Sequence, residues 1–349
     1  MNYSKKGVRA KQKTLNSKSQ KWGRKIALTC VKVMLAAVVG IGICGVAAGI
    51  GVFRGILSST PTIRLSDVVA VGEATIVYDR EGNEIDQYVS TNSNRLSVGM
   101  DEIPDYLGKA FVAIEDERFY QHNGIDFKSI IRAGYQFFKT GGEEAQGAST
   151  ITQQLLKNTV FTDWTSEGNN KIKKIKRKIQ EQYLALEITK YYSKDEILLR
   201  YMNAINLGQN TLGVESASLR YFGKHCSELT ISECAVIASI TQNPSKYNPI
   251  RHPEENVKRR EKCLNKMLEL GFISQTQYDE AMADTDAVYE RIGLYDIDYQ
   301  EANATTGSYF SDAVYEQVKQ DLILSGYNEN MAETLRSEER RVGKECRSR

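Results

Sequence analysis

Apolar residues recur at helical spacing through most of the chain beyond residue 100. Ile103, Leu107, Ala110, Phe111 and Ile114 fall three or four positions apart and predict a helix with one buried face. Pro104 suits its first turn, and Asn123-Gly124 breaks the chain behind it. Residues 126–139 put Phe127, Ile130, Ile131, Gly134, Phe137 and Phe138 on one stripe. Residues 170–191 do the same with Ile172, Ile175, Ile179, Tyr183 and Leu186. Both patterns read as helices packed against a core. Ser193…Glu196 and Thr230…Glu233 are capping boxes that open two more helices. Pro253 opens another that Gly271 closes, Ser274…Gln277 opens the next, and a last helix is expected near residues 310–324. The period changes upstream. Residues 74–78 are β-prone, 79–83 read as a turn, and 84–89 return as a strand, so a small hairpin is expected.

Residues 33–53 form an uncharged run of 21, long enough to cross a bilayer. Charge then sharpens the picture. The formal net charge is +2, but residues 1–32 hold ten Lys/Arg and no acid, and residues 336–349 add six Lys/Arg against three Glu. The intervening residues 33–335 therefore carry −11, which argues against nucleic acid as a partner. The basic flank places the N-terminus in the cytoplasm and the rest of the chain outside the membrane. A cleaved signal peptide is the alternative, but the run is longer than a usual signal core and no convincing cleavage site follows it. The six cysteines show no Cys-x-x-Cys spacing and there are three histidines, so a zinc site is not expected. Residues 336–349 resemble a translated sequencing adapter and are set aside as an artefact, with the natural chain expected to continue past Leu335.

Two segments carry candidate chemistry. Residues 114–124 pack Glu115, Asp116, Glu117, Arg118, Phe119, Tyr120 and His122 around the end of a buried helix. A carboxylate near the negative end of a helix dipole is harder to ionise, which suits a general base. A solvated acidic cluster explains the segment equally well by itself. In residues 147–158, Ser149 is a plausible N-cap, and Thr150, Gln154 and Lys157 share one polar face. A stripe of hydroxyl, amide and a single lysine looks more like a ligand surface than a solvated face.

Together these segments resemble the glycosyltransferase domain of class A penicillin-binding proteins, the family 51 peptidoglycan polymerases. Glu115, Asp116, Phe119, His122 and Gly124 match the family's first motif. Gly147, Ser149, Thr150, Thr152, Gln153, Gln154, Lys157 and Asn158 match the second, and Arg177, Lys178 and Glu181 the third. The fourth runs from Ile197 to Lys224 and includes Tyr201, Asn203, Gly208, Gly213 and the Tyr221-Phe222-Gly223-Lys224 run. The fifth includes Glu233, Ala235, Gln242, Pro244 and Pro249. One departure is Leu199, where the family usually has an acid.

The resemblance implies a mainly α, lysozyme-like helical domain over residues 96–285, behind a basic cytoplasmic tail (1–25), a transmembrane helix (26–53) and a β-containing connector (54–95). Residues 286–335 would be a linker towards a transpeptidase domain. No Ser-x-x-Lys occurs, so acylation by β-lactams is not expected; Lys139-Thr140-Gly141 spells another transpeptidase motif but reads as a chance helix end. The implied reaction is inverting polymerisation of lipid II onto a lipid-linked glycan chain. Glu115 would be the base, with Asp116 and Glu181 catalytic beside it. Phe119, His122, Ser149, Thr150, Gln153, Gln154, Lys157, Asn158, Arg177, Lys178 and Asn203 would bind substrate. The residues themselves read more plainly: Phe119 as core and His122 as a loop-fixing partner. Glu181 would either orient Arg177 or hold Mg²⁺ or another divalent cation, and an exposed Arg177–Glu181 helix pair is the ordinary reading. Phe161, Trp164 and the basic residues 171–178 are candidates for contact with the bilayer. Other proteins of cell-wall synthesis are expected partners. A lytic transglycosylase, which needs no diphosphate site, and a non-enzymatic membrane scaffold remain the competing functions.

Overall fold

The computed structural model describes residues 4–15, 18–63, 68, 75–78, 80–82, 84–88, 94–140, 147–162, 168, 170–303 and 309–327. It divides into two units, Met1–Pro61 and Thr62–Arg349. The first holds α1 (Lys5–Leu15) and α2 (Lys18–Ser58). Within the stretch Trp22–Ser58 of α2 the most apolar 18 residues have a mean hydropathy of 2.5, and the stretch suffices to cross a membrane. Its apolar side chains are exposed, as a bilayer-facing helix requires.

In the second unit the expected hairpin is present. Strands β1 (Thr75–Tyr78) and β2 (Glu84–Tyr88) pair antiparallel, Thr75 opposite Tyr88, with the register shifting between Val77 and Tyr78. Beyond it the unit is helical: α3 (Asp105–Glu115), α4 (Phe127–Thr140), α5 (Ile151–Thr159), α6 (Lys171–Ile188), α7 (Lys194–Ala204), α8 (Val214–Phe222), α9 (Ile231–Ser239), α10 (Pro253–Glu269), α11 (Gln275–Ala283), α12 (Thr285–Asn303) and α13 (Tyr309–Leu324).

Helix α9 is the centre. Ser232 to Ser239 are all buried, so this short helix has no solvated face. The apolar face of α3, with Leu107, Ala110 and Phe111, packs on α9 and α10, and α5 packs between α6 and α7. The three capping boxes form as read, at Ser193, Thr230 and Ser274. Thr230 Oγ1 accepts the Glu233 N–H at 3.3 Å, and Glu233 accepts the Thr230 N–H at 2.8 Å. Thr230→Ala removes the first bond at the entrance to the central helix, so thermal unfolding should report a loss of about 1 kcal/mol. An unchanged melting temperature would mean that the Glu233 half of the box is sufficient.

Two expected core stripes are partly exposed instead. Phe127 and Ile131 of α4 are exposed, as is Tyr135 one turn on; Phe137 and Phe138 have side chains outside the described residues. On α6, Ile172, Ile175 and Tyr183 are exposed, and the buried face is Gln180, Glu181, Leu184, Ala185 and Ile188. The body turns a carboxylate inward there because Arg177 and Lys178 neutralise it, as described below. Periodicity finds an amphipathic helix but does not say which medium its apolar face meets.

The body also extends further than expected. Helix α12, in the stretch read as linker, buries Val288 and Ile292 against Val236. Val288 and Ile292 lie one turn apart on one face of the helix, and Phe222 and Ile250 pack against the same cluster. Tyr289 donates to Asn256, and Arg291 pairs with Asp284 at 3.0 Å. Arg260 of α10 is wholly buried. It donates to the Ser232 hydroxyl and the Thr285 hydroxyl at 2.8 Å each and to the Ala281 carbonyl, pinning four helices together.

Candidate active site

The site begins where α3 ends. Glu115 is its last residue and Asp116 its C-cap. The two carboxylates turn to different partners. Glu115 is 10% exposed. Its Oε1 accepts from Arg259 Nη2 at 2.7 Å and from the Thr241 hydroxyl, and its Oε2 accepts from Gln154 Nε2 at 2.7 Å. Gln154 is held in turn: its Oε1 accepts from the Tyr201 hydroxyl at 3.2 Å. Burial, and next the Glu115 charge, push the Tyr201 hydroxyl well above its ordinary range, so it remains a donor. Arg259 spans the gap to Gln242, to which it donates at 2.8 Å, and lies over the Tyr247 ring.

Asp116 faces the other way. Its Oδ2 accepts the Ile151 N–H at 3.1 Å, so the carboxylate sits on the N-terminal turn of α5, where the helix dipole favours an anion. His122 Nε2 stands 3.0 and 3.1 Å from its two oxygens, and opposite a carboxylate that nitrogen is the protonated one. Lys194 packs over the Phe119 ring with Nζ 4.4 Å from its centroid. Burial lowers its pKa, and the Asp116 charge opposes that only in part. Gly124, at φ +87°, lets the chain pass α6; a Cβ there would lie 2.2 Å from the Ala185 carbonyl oxygen.

The third motif builds a second cluster at the same end of α5. Glu181, 1% exposed, accepts from Arg177 Nη1 through Oε1 and from Lys178 Nζ through Oε2, the latter at 3.0 Å. Lys178 also donates to Ser149 Oγ at 2.8 Å. Two cations share one carboxylate, which leaves the cluster one net positive charge. The pair is therefore not the ordinary exposed helix pair. Lys157 and Asn158 lie half-buried further along α5.

Several expected roles are corrected by this geometry. The N-cap of α5 is Thr150, not Ser149: Thr150 Oγ1 accepts the Gln153 N–H at 3.2 Å and donates to the Gly124 carbonyl at 2.6 Å. With its one proton spent on Gly124 and the residue buried, Thr150 is a brace between motifs. Gln153 is buried on the inner face of α5, and Phe119 is wholly buried core, so neither presents a surface to substrate. Asn203 closes both ends of its amide on Val98, accepting the N–H at 3.1 Å and donating to the carbonyl at 2.9 Å; it anchors the segment leading into α3. Leu199, at the position where an acid was expected, packs half-buried against the core. His122 does fix a loop, as its residue type suggested. Trp164 lies outside the described residues.

The divalent cation expected at Glu181 finds a poor fit. Mg²⁺ wants several oxygen ligands, and both Glu181 oxygens already serve Arg177 and Lys178. Among the described residues no three His, Cys, Asp or Glu side chains gather to hold a metal.

Arg259, Thr241 and Lys194 join the site without having been marked for it, and Tyr201, noted only as a residue of the fourth motif, joins as the partner of Gln154. Arg259 hides in Lys258-Arg259-Arg260-Glu261-Lys262, a run that reads as a solvated face. One sequence signal existed next door: Arg260 falls in helical step with Asn256, Cys263 and Met267, all buried. Nothing local marks Thr241.

Residues 81–268 match the profile of the family described as Transglycosylase. The chain is 39% identical over 296 residues to penicillin-binding protein 1A of Clostridium perfringens (strain 13 / Type A), covering 82% of this chain and 42% of that protein. It is 39% identical over 288 residues to penicillin-binding protein 1A of Clostridium botulinum (strain Hall / ATCC 3502 / NCTC 13319 / Type A), covering 80% of this chain and 33% of that one. Penicillin-binding protein 1A/1B of Bacillus subtilis (strain 168) is 34% identical over 318 residues, 90% of this chain and 33% of its own length. The chain thus spans less than half the length of the relatives it matches.

Proposed function

The chain belongs to the transglycosylase family, and from that premise we propose that it is a membrane-anchored peptidoglycan glycosyltransferase that polymerises lipid II. The observation that carries this reading is the state of Glu115. A carboxylate has about four acceptor positions. Arg259 and Thr241 fill two on Oε1, and Gln154 fills one on Oε2. The remaining position on Oε2 is where an incoming proton would land, and the three donors hold the carboxylate still for it. In this reading the acceptor's sugar 4-hydroxyl gives its proton to Oε2 as its oxygen bonds to the donor's anomeric carbon. The bond from that carbon to the lipid diphosphate breaks, its electron pair leaves with the diphosphate, and the new β-1,4 linkage is inverted at that carbon.

The leaving diphosphate gathers negative charge and needs cations set in place beforehand. Lys178 and Arg177, held by Glu181, supply them, with Lys157 on the same helix face as Gln154. Asp116 and His122 tie the base's loop to α5 and so keep Glu115 in register with that cluster. The apolar run of α2 and its basic flank support a single-pass anchor with a cytoplasmic N-terminus and an extracellular catalytic domain. The exposed Phe127, Ile131, Ile172 and Ile175 support contact of the catalytic domain with the bilayer, where its lipid-linked substrates reside.

The test is glycan synthesis from purified lipid II in detergent. Polymer is expected; degradation of preformed glycan without synthesis would sink the proposal in favour of a lytic enzyme. In the same assay Lys178→Ala should lower kcat/KM roughly tenfold, because one charge-assisted contact to the diphosphate is lost. Wild-type rates in that variant would remove Lys178 from the diphosphate site. A parallel run with a chelator tests the divalent cation, to which no step above is assigned.

A further inference from the structure

Apart from the Glu115 cluster, the catalytic unit holds a pocket of about 620 Å³, within the usual range for a small ligand, lined chiefly by Asn206, Gln209, Asn210, Ser245, Asn248 and Arg251. Two loops build it. Behind α7 the chain runs through three successive left-handed residues, Gly208 (φ +82°), Gln209 (φ +46°) and Asn210 (φ +59°). Local bonds hold this unusual path. Asn206 Oδ1 accepts the Gly208 N–H at 2.9 Å, and the Thr211 N–H and hydroxyl both donate to the Gly208 carbonyl at 2.7 Å. Gly208 itself presses on the second loop: a Cβ there would lie 3.3 Å from the Pro244 carbonyl oxygen and the Asn248 amide nitrogen. In that second loop Asn248 Oδ1 accepts the N–H groups of Ile250 and Arg251 at 3.0 and 2.9 Å, which fixes the turn that carries Arg251. Glutamine rarely adopts the left-handed conformation, and a fold keeps such a residue where its placement matters.

The lining chemistry narrows the ligand. Among the described residues it consists of four amides, one hydroxyl and one guanidinium, with the Pro244 ring and Gly208 between them and no carboxylate or aromatic ring. Pro244 gives it one small apolar face, and cations meet Arg251. A sugar ring finds no aromatic face to stack on. A primary amide presents a donor beside an acceptor, the pair that a peptide group needs, and the guanidinium fork matches a carboxylate. The side chains of Gln209, Asn210, Ser245 and Arg251 make no hydrogen bond or ion pair with other described residues, so their capacity is open to a ligand. Position adds to this. Pro244 and Ser245 follow by three and four residues the Thr241 whose hydroxyl donates to Glu115.

We propose that this pocket binds a carboxylate-bearing peptide, the acidic peptide branch of the lipid-linked substrate. The proposal names a subsite of the polymerase reading and rests on it. Arg251 pairs with a carboxylate of the peptide, and the Gln209 and Asn210 amides bond its backbone. The pocket thereby selects which disaccharide is presented to the base.

The experiment separates binding from turnover. Soluble N-acetylmuramyl pentapeptide, and the same compound with its carboxylates amidated, are titrated into the full chain in detergent by ligand-observed NMR. Wild type and Arg251→Ala are compared, with lipid II polymerisation measured on the same preparations. Arg251 is exposed, so the variant is expected to fold. The acid form should bind wild type about fivefold more tightly than the amidated form, and Arg251→Ala should erase that preference. No binding up to millimolar concentration, equal binding of the two forms, or an unchanged preference in Arg251→Ala would each overturn the proposal. Peptide binding with that preference but no polymer from wild type would overturn the polymerase reading alone.

Discussion

Glu115→Gln is expected to lower glycan synthesis by at least about a hundredfold, within the range for losing a general base. The substitution keeps the shape and removes the proton acceptor. The site can accommodate it. The new carbonyl oxygen can keep the bonds from Arg259 and Thr241, and its NH₂ would then face Gln154, whose amide can turn over to accept. Tyr201, a hydroxyl, can accept from the turned amide as readily as it now donates. Arg259, only 11% exposed and lying over the Tyr247 ring, loses its charge partner but keeps a hydrogen-bond acceptor, so a measurable loss of stability accompanies the change. Because the base acts in the transition state, the loss should fall on kcat with KM for lipid II little altered. Retention of more than about a tenth of wild-type turnover, with an intact circular dichroism melt, would exclude Glu115 as the base.

Gly124→Ala should destabilise the protein by about 3 kcal/mol or more. Two penalties combine. The residue sits at φ +87°, where a side chain is strained, and the added Cβ would come 2.2 Å from the Ala185 carbonyl oxygen and 2.6 Å from its carbon. Those atoms are backbone of α6 and cannot swing aside. Either the loop lifts and drops the Thr150 brace and the Asp116–His122 contact, or α6 moves with Glu181 on it. Polymerisation should fall along with stability. Gly271→Ala is the control. That glycine also has positive φ, +69°, but nothing lies within 4 Å of its Cβ, so only the conformational cost of about 1 kcal/mol remains. Equal melting temperatures for the two variants would show that the approach to Ala185 does not constrain the loop.

Both variants act on residues that were legible along the chain, whereas the site around them was legible only in part. The last residues of α3, the polar face of α5 and the Arg177–Lys178–Glu181 turn follow from short-range spacing, because one helix turn brings i, i+3 and i+4 side chains to one surface. Capping boxes at Ser193, Thr230 and Ser274 are local for the same reason, and so is the hairpin. Spacing puts Gln154 on the polar face of α5 but does not name its partner. Glu115 lies 39 positions away, and Arg259 lies 144 positions from that same carboxylate. Thr150 and Asn203 show the opposite error. Each has a residue type and position that fit ligand binding, and each spends its polar capacity inside the fold.

The division has a physical basis. By itself the sequence determined most of the helical elements and the caps at Ser193, Thr230 and Ser274, the apolar span near the N-terminus, the hairpin, and which residue types could do acid–base and anion chemistry, because these depend on neighbours within a turn or two. Only the tertiary structure decided which carboxylate receives which donor, that the apolar stripes of α4 and α6 stay partly exposed, that α12 belongs to the body, and that Glu181 is occupied by its own cations. Those outcomes depend on desolvation. A buried carboxylate must find partners wherever packing brings a donor within hydrogen-bond reach, and packing is settled by the whole core rather than by any segment of it.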